Sequence, residues 1–291
     1  MLRSIVACLL LCAAGLAQPV DQPSVEAVQS PAWVERAGAR EPLAPGMLLQ
    51  GADRVISGAG ARIVLRMPEG SLVKLGEQAQ LALDRIAVRR EPEGTLVSGV
   101  LDVLSGAFRF TTQAGARFRG RRQIDVRIAT VTAGIRGTDL WGKAADDRDI
   151  VCLIEGRISV QRQGEAGFTM DQALSFYIAP RNAPALPIAP VPPEQLARWA
   201  TETDIQPGTG SARRNGRWRV ELAQAQSQAE ALALYDRLRE AGYPARILPL
   251  GAEGGLVYSV RIASLASEAE ASALAARLKD TPGVTEPRVG R

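Results

Sequence analysis

The sequence predicts two domains of different class: an all-β sandwich or roll over residues 25–179, and an α+β, ferredoxin-like βαββαβ unit over residues 216–291. Three observations carry that reading. Short alternating or continuous β-type runs fill the first region, with turn residues between them. Six prolines from Pro180 to Pro193 then mark a linker over residues 180–215. Beyond it, Val220 to Arg239 recurs at an offset of 40 residues as Val260 to Lys279, with ten of twenty positions identical, so the last quarter of the chain is a duplicated unit.

Residues 1–17 read as a secretory signal, with Arg3, an apolar run from Ile5, small residues at Gly15 and Ala17, and cleavage after Ala17. The apolar run, about 13 residues, is shorter than the ~20 that span a bilayer. The expectation is a periplasmic protein with no transmembrane segment after cleavage. Cys8 and Cys12 each follow apolar residues, as a lipidated cysteine does. Cys8 has almost no hydrophobic core before it and Cys12 lacks the usual preceding small residue, so a lipoprotein is the secondary reading.

Apolar residues make up 46% of the chain, enough for real cores, and aromatics only 4%, which leaves little for a site built on stacked rings. The formal net charge of +4, or +3 once Arg3 is removed, is too weak to indicate nucleic acid. The chain contains no histidine. That removes Ser-His-Asp and Cys-His catalysis, most zinc sites and a neutral-pH proton shuttle together. The densest acidic stretch, Asp146-Asp147-Arg148-Asp149, lacks the alternating ligands and central glycine of a calcium loop and reads as a solvated turn. No phosphate-binding glycine motif occurs. No catalytic residue, metal site or cofactor is expected, and the chain reads as a non-enzyme. Cys152, alone in the mature chain and set in Ile150 to Ile154, reads as a small core hydrophobe.

In the first domain the β-type runs are Arg62 to Met67, Ser71 to Leu75, Gln80 to Asp84, Val100 to Leu104, Ala107 to Phe110, Asp125 to Ile128, Ile150 to Ile154 and Arg157 to Val160. Pro68-Glu-Gly70, Ser105-Gly106 and Glu155-Gly156 break them, which favours antiparallel pairing. Several strings together resemble the FecR domain, a periplasmic module. They are Leu43 to Met47, Gly51 to Val55, Gly58 to Ala61, Glu69 to Ser71, Leu75-Gly76, Gly106 to Phe110, Gly134-Ile135-Arg136-Gly137-Thr138-Asp139 and Leu153 to Gly156. The resemblance implies an all-β extracytoplasmic domain used in signalling or scaffolding, with an envelope protein as a possible partner. The family's namesake also has a membrane span and a cytoplasmic segment that grips a sigma factor, and this chain has neither. Read from the residues, Gly134 and Gly137 around Arg136 suggest a turn that carries a guanidinium at a strand end. It either ties a loop to nearby carbonyls or meets a ligand. Arg117, Arg119, Arg121, Arg122 and Arg127 form a basic run opposed only by Asp125, and read as a solvated loop or as a contact for anionic envelope polymers.

The proline-rich part of the linker is expected to be stiff and extended. Glu194 to Thr203, with Leu196 and Trp199 at helical spacing, predicts one short helix packed back on the β domain, and Gln206 to Gly216 reads as flexible, holding the last domain at a distance.

In the duplicated unit, Ser227-Gln-Ala-Glu230 and Ser267-Glu-Ala-Glu270 are capping boxes, and each follows a short alternating strand. Gly242 stops the first helix, Tyr243 to Leu248 and Leu256 to Ile262 are strands, and Val284 to Val289 closes the sheet. Strict alternation puts Trp218, Val220, Leu222, Tyr258, Val260 and Ile262 beneath the helices, and Arg219, Glu221, Ala223, Val257, Ser259 and Arg261 on the open face. The unit is similar to the SPOR domain on Trp218 to Ala223, Ala229 to Ala231, Leu238, Gly242 to Ala245, Tyr258 to Ile262, Ala269 to Ala271 and Leu278. That resemblance implies binding to peptidoglycan glycan strands stripped of stem peptides, with Arg219, Glu221, Val257, Ser259 and Arg261 as the candidate contacts. The face departs from the family pattern, with Glu221 for a usual Gln, Ala223 for Gly, Ser259 for Arg and Ala263-Ser264 for Gly-Pro. Two readings therefore stand, a retained glycan site and a face turned to protein contacts. An RNA-recognition reading fails because that face offers no aromatic for base stacking.

Overall fold

The computed structural model describes residues 22–112, 118, 120–251 and 255–291. The expected signal segment 1–17 with Cys8 and Cys12, Arg117 and Arg119 of the basic run, and residues 252–254 lie outside the described residues.

The first domain is two β-sheets joined by one long strand, Gly94–Thr111. Its second half pairs with Leu72–Leu75 and Asp139–Ala144, and its first half with Gln80–Glu91 and Gly120–Ile128. The first sheet extends through Arg62–Arg66 and Ser24–Gln29 on one side, and through Arg148–Glu155 and Ser175–Pro180 on the other. The second extends through Arg54–Ser57, Ala32–Arg36 and Ala39–Pro42, and opposite them through Val131–Ile135, Ile158–Arg162 and Phe168–Met170. Alternation decides the inward faces: Ile63 and Leu65, Val73 and Leu75, Phe108 and Phe110, Val131 and Ala133 all enter one buried core. Two expectations change. Ser105-Gly106 is not a turn but lies inside the long strand, where the chain passes from one sheet to the other. The sheet is also not wholly antiparallel, because Gly120–Ile128 runs parallel to residues 95–103. Side-chain alternation records which face a residue takes, and holds no record of strand direction.

The linker is not an extended tether. Ala189–Pro190 pairs with Ser175–Pro180, and helix α1, Pro193–Thr203, begins on a proline at its first turn and lies on the β domain as its spacing predicts. Trp199 stacks on Trp141 with ring centroids 4.5 Å apart and planes 12° from parallel, and Phe176 meets it edge-on. Lys74 bonds Asp204 at 2.6 Å and Lys143 bonds Glu202 at 2.9 Å. Residues 206–216 are ordered too: Ser211–Arg213 pairs with Ser24–Gln29 and bridges at Ala212 to Leu265 of the last domain. Backbone hydrogen bonds thus run from one domain's sheet into the other's.

The C-terminal domain has the predicted order: Trp218–Ala225, helix α2 (Gln228–Glu240), Arg246–Leu250, Val257–Leu265, helix α3 (Glu268–Leu278) and Arg288–Gly290. Val257–Leu265 and Trp218–Ala225 are central, and the other two strands are the edges. Leu234, Leu238, Leu274 and Leu278 pack on Val220, Leu222, Val260 and Ile262. The helical side meets the β domain. Gly242, at φ +82°, ends α2 as expected, and a Cβ there would lie 2.7 Å from the Trp33 ring, so the position also permits domain contact. Arg277 Nη1 donates to the Ser30 carbonyl at 3.2 Å.

Candidate functional site

Residues directly opposite one another in a sheet share a face. The register sets Arg246 opposite Arg261, Arg261 opposite Glu221, and Glu221 opposite Arg288, so one charged row crosses all four strands of the C-terminal sheet on the side away from α2 and α3. On one side of the row Leu248, Ser259 and Gln224 stand in line, and beyond them Leu250 faces Val257. On the other side Arg219 lies opposite Gly290. The face therefore grades from apolar, through polar, to basic.

Four of the five expected face residues, Arg219, Glu221, Val257 and Arg261, lie there with part of their surface exposed, while Ser259 is only 1% exposed. Its hydroxyl donates to Glu221 Oε2 at 2.5 Å, and Gln224 Nε2 donates to Glu221 Oε1 at 2.8 Å. Neither Arg219 nor Arg261 pairs with Glu221, and among the described residues Arg219, Arg246 and Arg261 make no ion pair. Arg261 Nε is buried without a hydrogen-bond partner. Arg288 reaches Glu286 at 3.0 Å, beside a depression of about 260 Å³ lined by Glu221, Gln224, Gln226 and Thr285.

Ala223 is not on the open face. A β-bulge between Glu221 and Ala223 breaks the alternation, so Leu222 and Ala223 are both buried and Gln224 takes the outward place. Sequence reasoning missed Gln224, Arg246 and Arg288. No glycine or proline marks the bulge, and the two arginines sit on edge strands whose register is set by partners distant in sequence.

The second candidate, Gly134-Ile135-Arg136-Gly137-Thr138-Asp139, divides by role. Gly134 and Ile135 end the Val131–Ile135 strand, and a Cβ on Gly134 would lie 2.5 Å from Ser159 Oγ. Asp139 takes both guanidinium nitrogens of Arg109, at 2.9 and 2.6 Å, and Thr111 Oγ1 donates to it at 3.3 Å. Those hydrogen bonds raise Arg109 above its ordinary value, against the opposing effect of burial. Thr138 is buried. Arg136 is exposed at the rim of a cavity of about 670 Å³, with Arg157, Ser159, Thr169 and Asp171 around it. Among the described residues it ties no loop to a carbonyl; the motif's anchoring carboxylate is Asp139.

The described part of the basic run is strand rather than loop. Carboxylates from neighbouring strands oppose it: Arg121 bonds Glu91, Arg127 lies 3.4 Å from Asp102, and Arg122 stacks over Phe118. Asp149 leaves the expected solvated turn altogether. It is 0% exposed and accepts from Thr130 N and Oγ1 and from Arg181. Cys152 is fully buried, and that burial pushes its thiol up to about 12, which disfavours the reactive thiolate. No group of three or more Cys, Asp or Glu converges as a metal site among the described residues, and none of their helices is long and apolar enough to cross a membrane.

At the junction, the Ser227 and Ser267 hydroxyls accept the amides of Glu230 and Glu270, the first half of each capping box. The Glu270 carboxylate, 7% exposed, turns outward to accept the amides of Gly208, Thr209 and Ser211. Burial acts to raise its carboxyl, but the backbone amides of 208–211 outweigh it and hold the group below the ordinary glutamate range.

A protein-family model described as FecR protein matches residues 53–159, and one described as SPOR domain matches residues 215–285. No curated protein matches the chain. Two crystal structures of a protein from Parabacteroides distasonis, described as a candidate anti-sigma factor, are similar to it. One is 12% identical over 65% of this chain and 75% of its own, and the other 14% identical over 78% and 91%, each with a TM-score of 0.40.

Proposed function

Because this chain carries a FecR region followed by a SPOR domain, we propose that it is a non-catalytic protein of the bacterial envelope. On this reading it is exported to the periplasm by its signal segment. It binds peptidoglycan glycan strands through the open face of the SPOR sheet, and presents the FecR domain to an envelope protein partner for signalling or scaffolding. Both families are binding or regulatory domains. The observation that carries the glycan reading is the orientation of the C-terminal unit. Its helices dock on the β domain through Gly242 and Arg277, which leaves the face with Arg219, Glu221, Val257 and Arg261 turned away. Gln224 supplies on that face the amide that Glu221 replaces in the family pattern, so donors and acceptors for sugar hydroxyl and acetamido groups are both present.

Isolated sacculi test this. The full mature chain is expected to co-sediment with sacculi from which amidase has removed stem peptides, and Arg261→Glu to lower the bound fraction several-fold. Absence of co-sedimentation from amidase-treated sacculi would overturn the reading. Unchanged retention by Arg261→Glu would move the site off this face.

A further inference from the structure

One sheet edge of the β domain is open. Gln80–Glu91 pairs from end to end with the strand Gly94–Thr111 on one side, but on its other side Arg54–Ser57 covers only residues 80–82. The last contacts on that side are Ala52 N to the Leu83 carbonyl at 2.6 Å and Leu83 N to the Asp53 carbonyl at 2.9 Å. A β-bulge between Leu83 and Arg85 then carries the strand past its neighbour. Among the described residues no backbone hydrogen bond reaches residues 85–91 from that side. An open edge of this length is a template for another strand.

We propose that the edge 85–91 is a dimer interface and that its occupant is the same edge of a second copy of this chain, antiparallel and centred on Val88. This goes beyond the glycan reading and does not depend on it. A two-fold axis at Val88 sets Val88 opposite its copy, Ala87 opposite Arg89, Ile86 opposite Arg90 and Arg85 opposite Glu91. The Arg85–Glu91 match occurs twice, once on each side of the axis. A slip by one residue in one direction sets Arg85 opposite Arg90 and Asp84 opposite Glu91, and in the other sets Asp84 opposite Glu93 and pairs no opposite charges. Like charges directly opposite one another destabilise a sheet, and either slip also lays the polar face of one copy beside the apolar face of the other. The exposed Arg89 and Arg90 thus guard the edge against indiscriminate pairing, while one register stays open. Residues 85, 87, 89 and 91 share one face of the strand. There the Arg85 side chain is 80% exposed, with Asp84 at 3.8 Å as its ion-pair partner among the described residues. Glu91 accepts Arg121 through Oε2, which leaves Oε1 for the incoming guanidinium. On the opposite face Ile86 packs against the domain core and Val88 is half-buried, so pairing the two edges joins the apolar inner faces of the two copies.

The test uses the full mature chain, in which Cys152 is buried. Directly opposite residues of an antiparallel pair stand about 4.5–5.5 Å apart at Cα, within the span that a disulfide bridges. Val88→Cys is therefore expected to give a covalent dimer on mild oxidation. Ala87→Cys, which lies opposite Arg89 rather than its own copy, is expected to give several-fold less. In sedimentation equilibrium the parent is expected to dimerise, and Arg85→Glu and Glu91→Arg each to weaken the dimer at least tenfold. The double variant is expected to return to within a few-fold of the parent, although it does not restore the Arg121 bond. Melting curves that match the parent separate a loss of the dimer from a loss of the fold. A parent that stays monomeric at every concentration reached would overturn the proposal. So would a dimer that neither charge reversal weakens, or equal crosslinking at positions 87 and 88. Each of these results leaves the sacculus experiment and the reading it tests untouched.

Discussion

The two domains use arginine in opposite ways. In the β domain most guanidiniums are matched internally: Arg36 bonds Asp53, a carboxylate 1% exposed; Arg109 bonds Asp139; and Arg181 reaches the buried Asp149. On the open face of the C-terminal sheet, Arg219, Arg246 and Arg261 make no ion pair among the described residues, and Glu221, opposite Arg261, is held by a serine and a glutamine. The difference teaches where charge shapes the fold and where it does not. A bidentate pair at a half-buried site holds two strands in one geometry, and losing one partner strands the other. Arginines left unpaired on a solvated face cost the fold little.

Removing the paired kind should hurt most. Asp139→Ala leaves Arg109 and Thr111 without their acceptor at a site where both partners of the pair are largely shielded, and is expected to destabilise the β domain by about 2–3 kcal/mol in chemical denaturation. Retention on stripped sacculi at a temperature where the variant is folded should not change. A loss of retention there would break the contrast between the domains.

The junction should respond less, and to pH. Glu270→Gln exchanges a carboxylate for an amide beneath three backbone donors, an expected loss of about 1–2 kcal/mol, read as faster hydrogen exchange at residues 208–211. The Glu270 carboxyl is held lower in the folded chain than in the unfolded one, so its contribution is fully present above the ordinary glutamate range. As pH falls through the lowered folded value the carboxyl protonates and the contribution is lost. The parent should therefore lose the 208–211 protection on acidification, and Glu270→Gln should show a flatter dependence. Parallel profiles would remove Glu270 as the clamp.

The smallest effect sharpens the comparison at the open face. Ser259→Ala removes one hydrogen bond to Glu221, with an expected stability change of about 1 kcal/mol or less. Its effect on retention should be measurable, since it frees Glu221 to draw on the neighbouring Arg261. Retention identical to the parent would show that the Ser259 bond does not govern the row.

Most of the architecture was legible because it rests on local signals. The 40-residue repeat, the two serine caps, Gly242 and the Leu234/Leu238 and Leu274/Leu278 spacing each act within a few residues of themselves, and the structure places each as read. The short helix of the linker was legible for the same reason. Its order was not, since the strand Ser211–Arg213 finds its partners at Ser24–Gln29 and Leu265, and Glu270 finds its donors some sixty positions away. Of the open face, Arg219, Glu221, Val257 and Arg261 followed from alternation. Ala223 did not, because the bulge shifted the phase by one residue.

By itself, then, the amino-acid order determined two domains of different class, the βαββαβ unit and the absence of histidine chemistry, because periodicity, caps and composition are properties of neighbouring residues. The tertiary structure alone decided that the linker is annealed to both sheets, that Gln224 displaces Ala223 at the face, and that Arg246, Arg261, Glu221 and Arg288 stand in one row. Each of these depends on register between strands far apart in the chain, and register is settled by burial of the whole sheet rather than by any one strand.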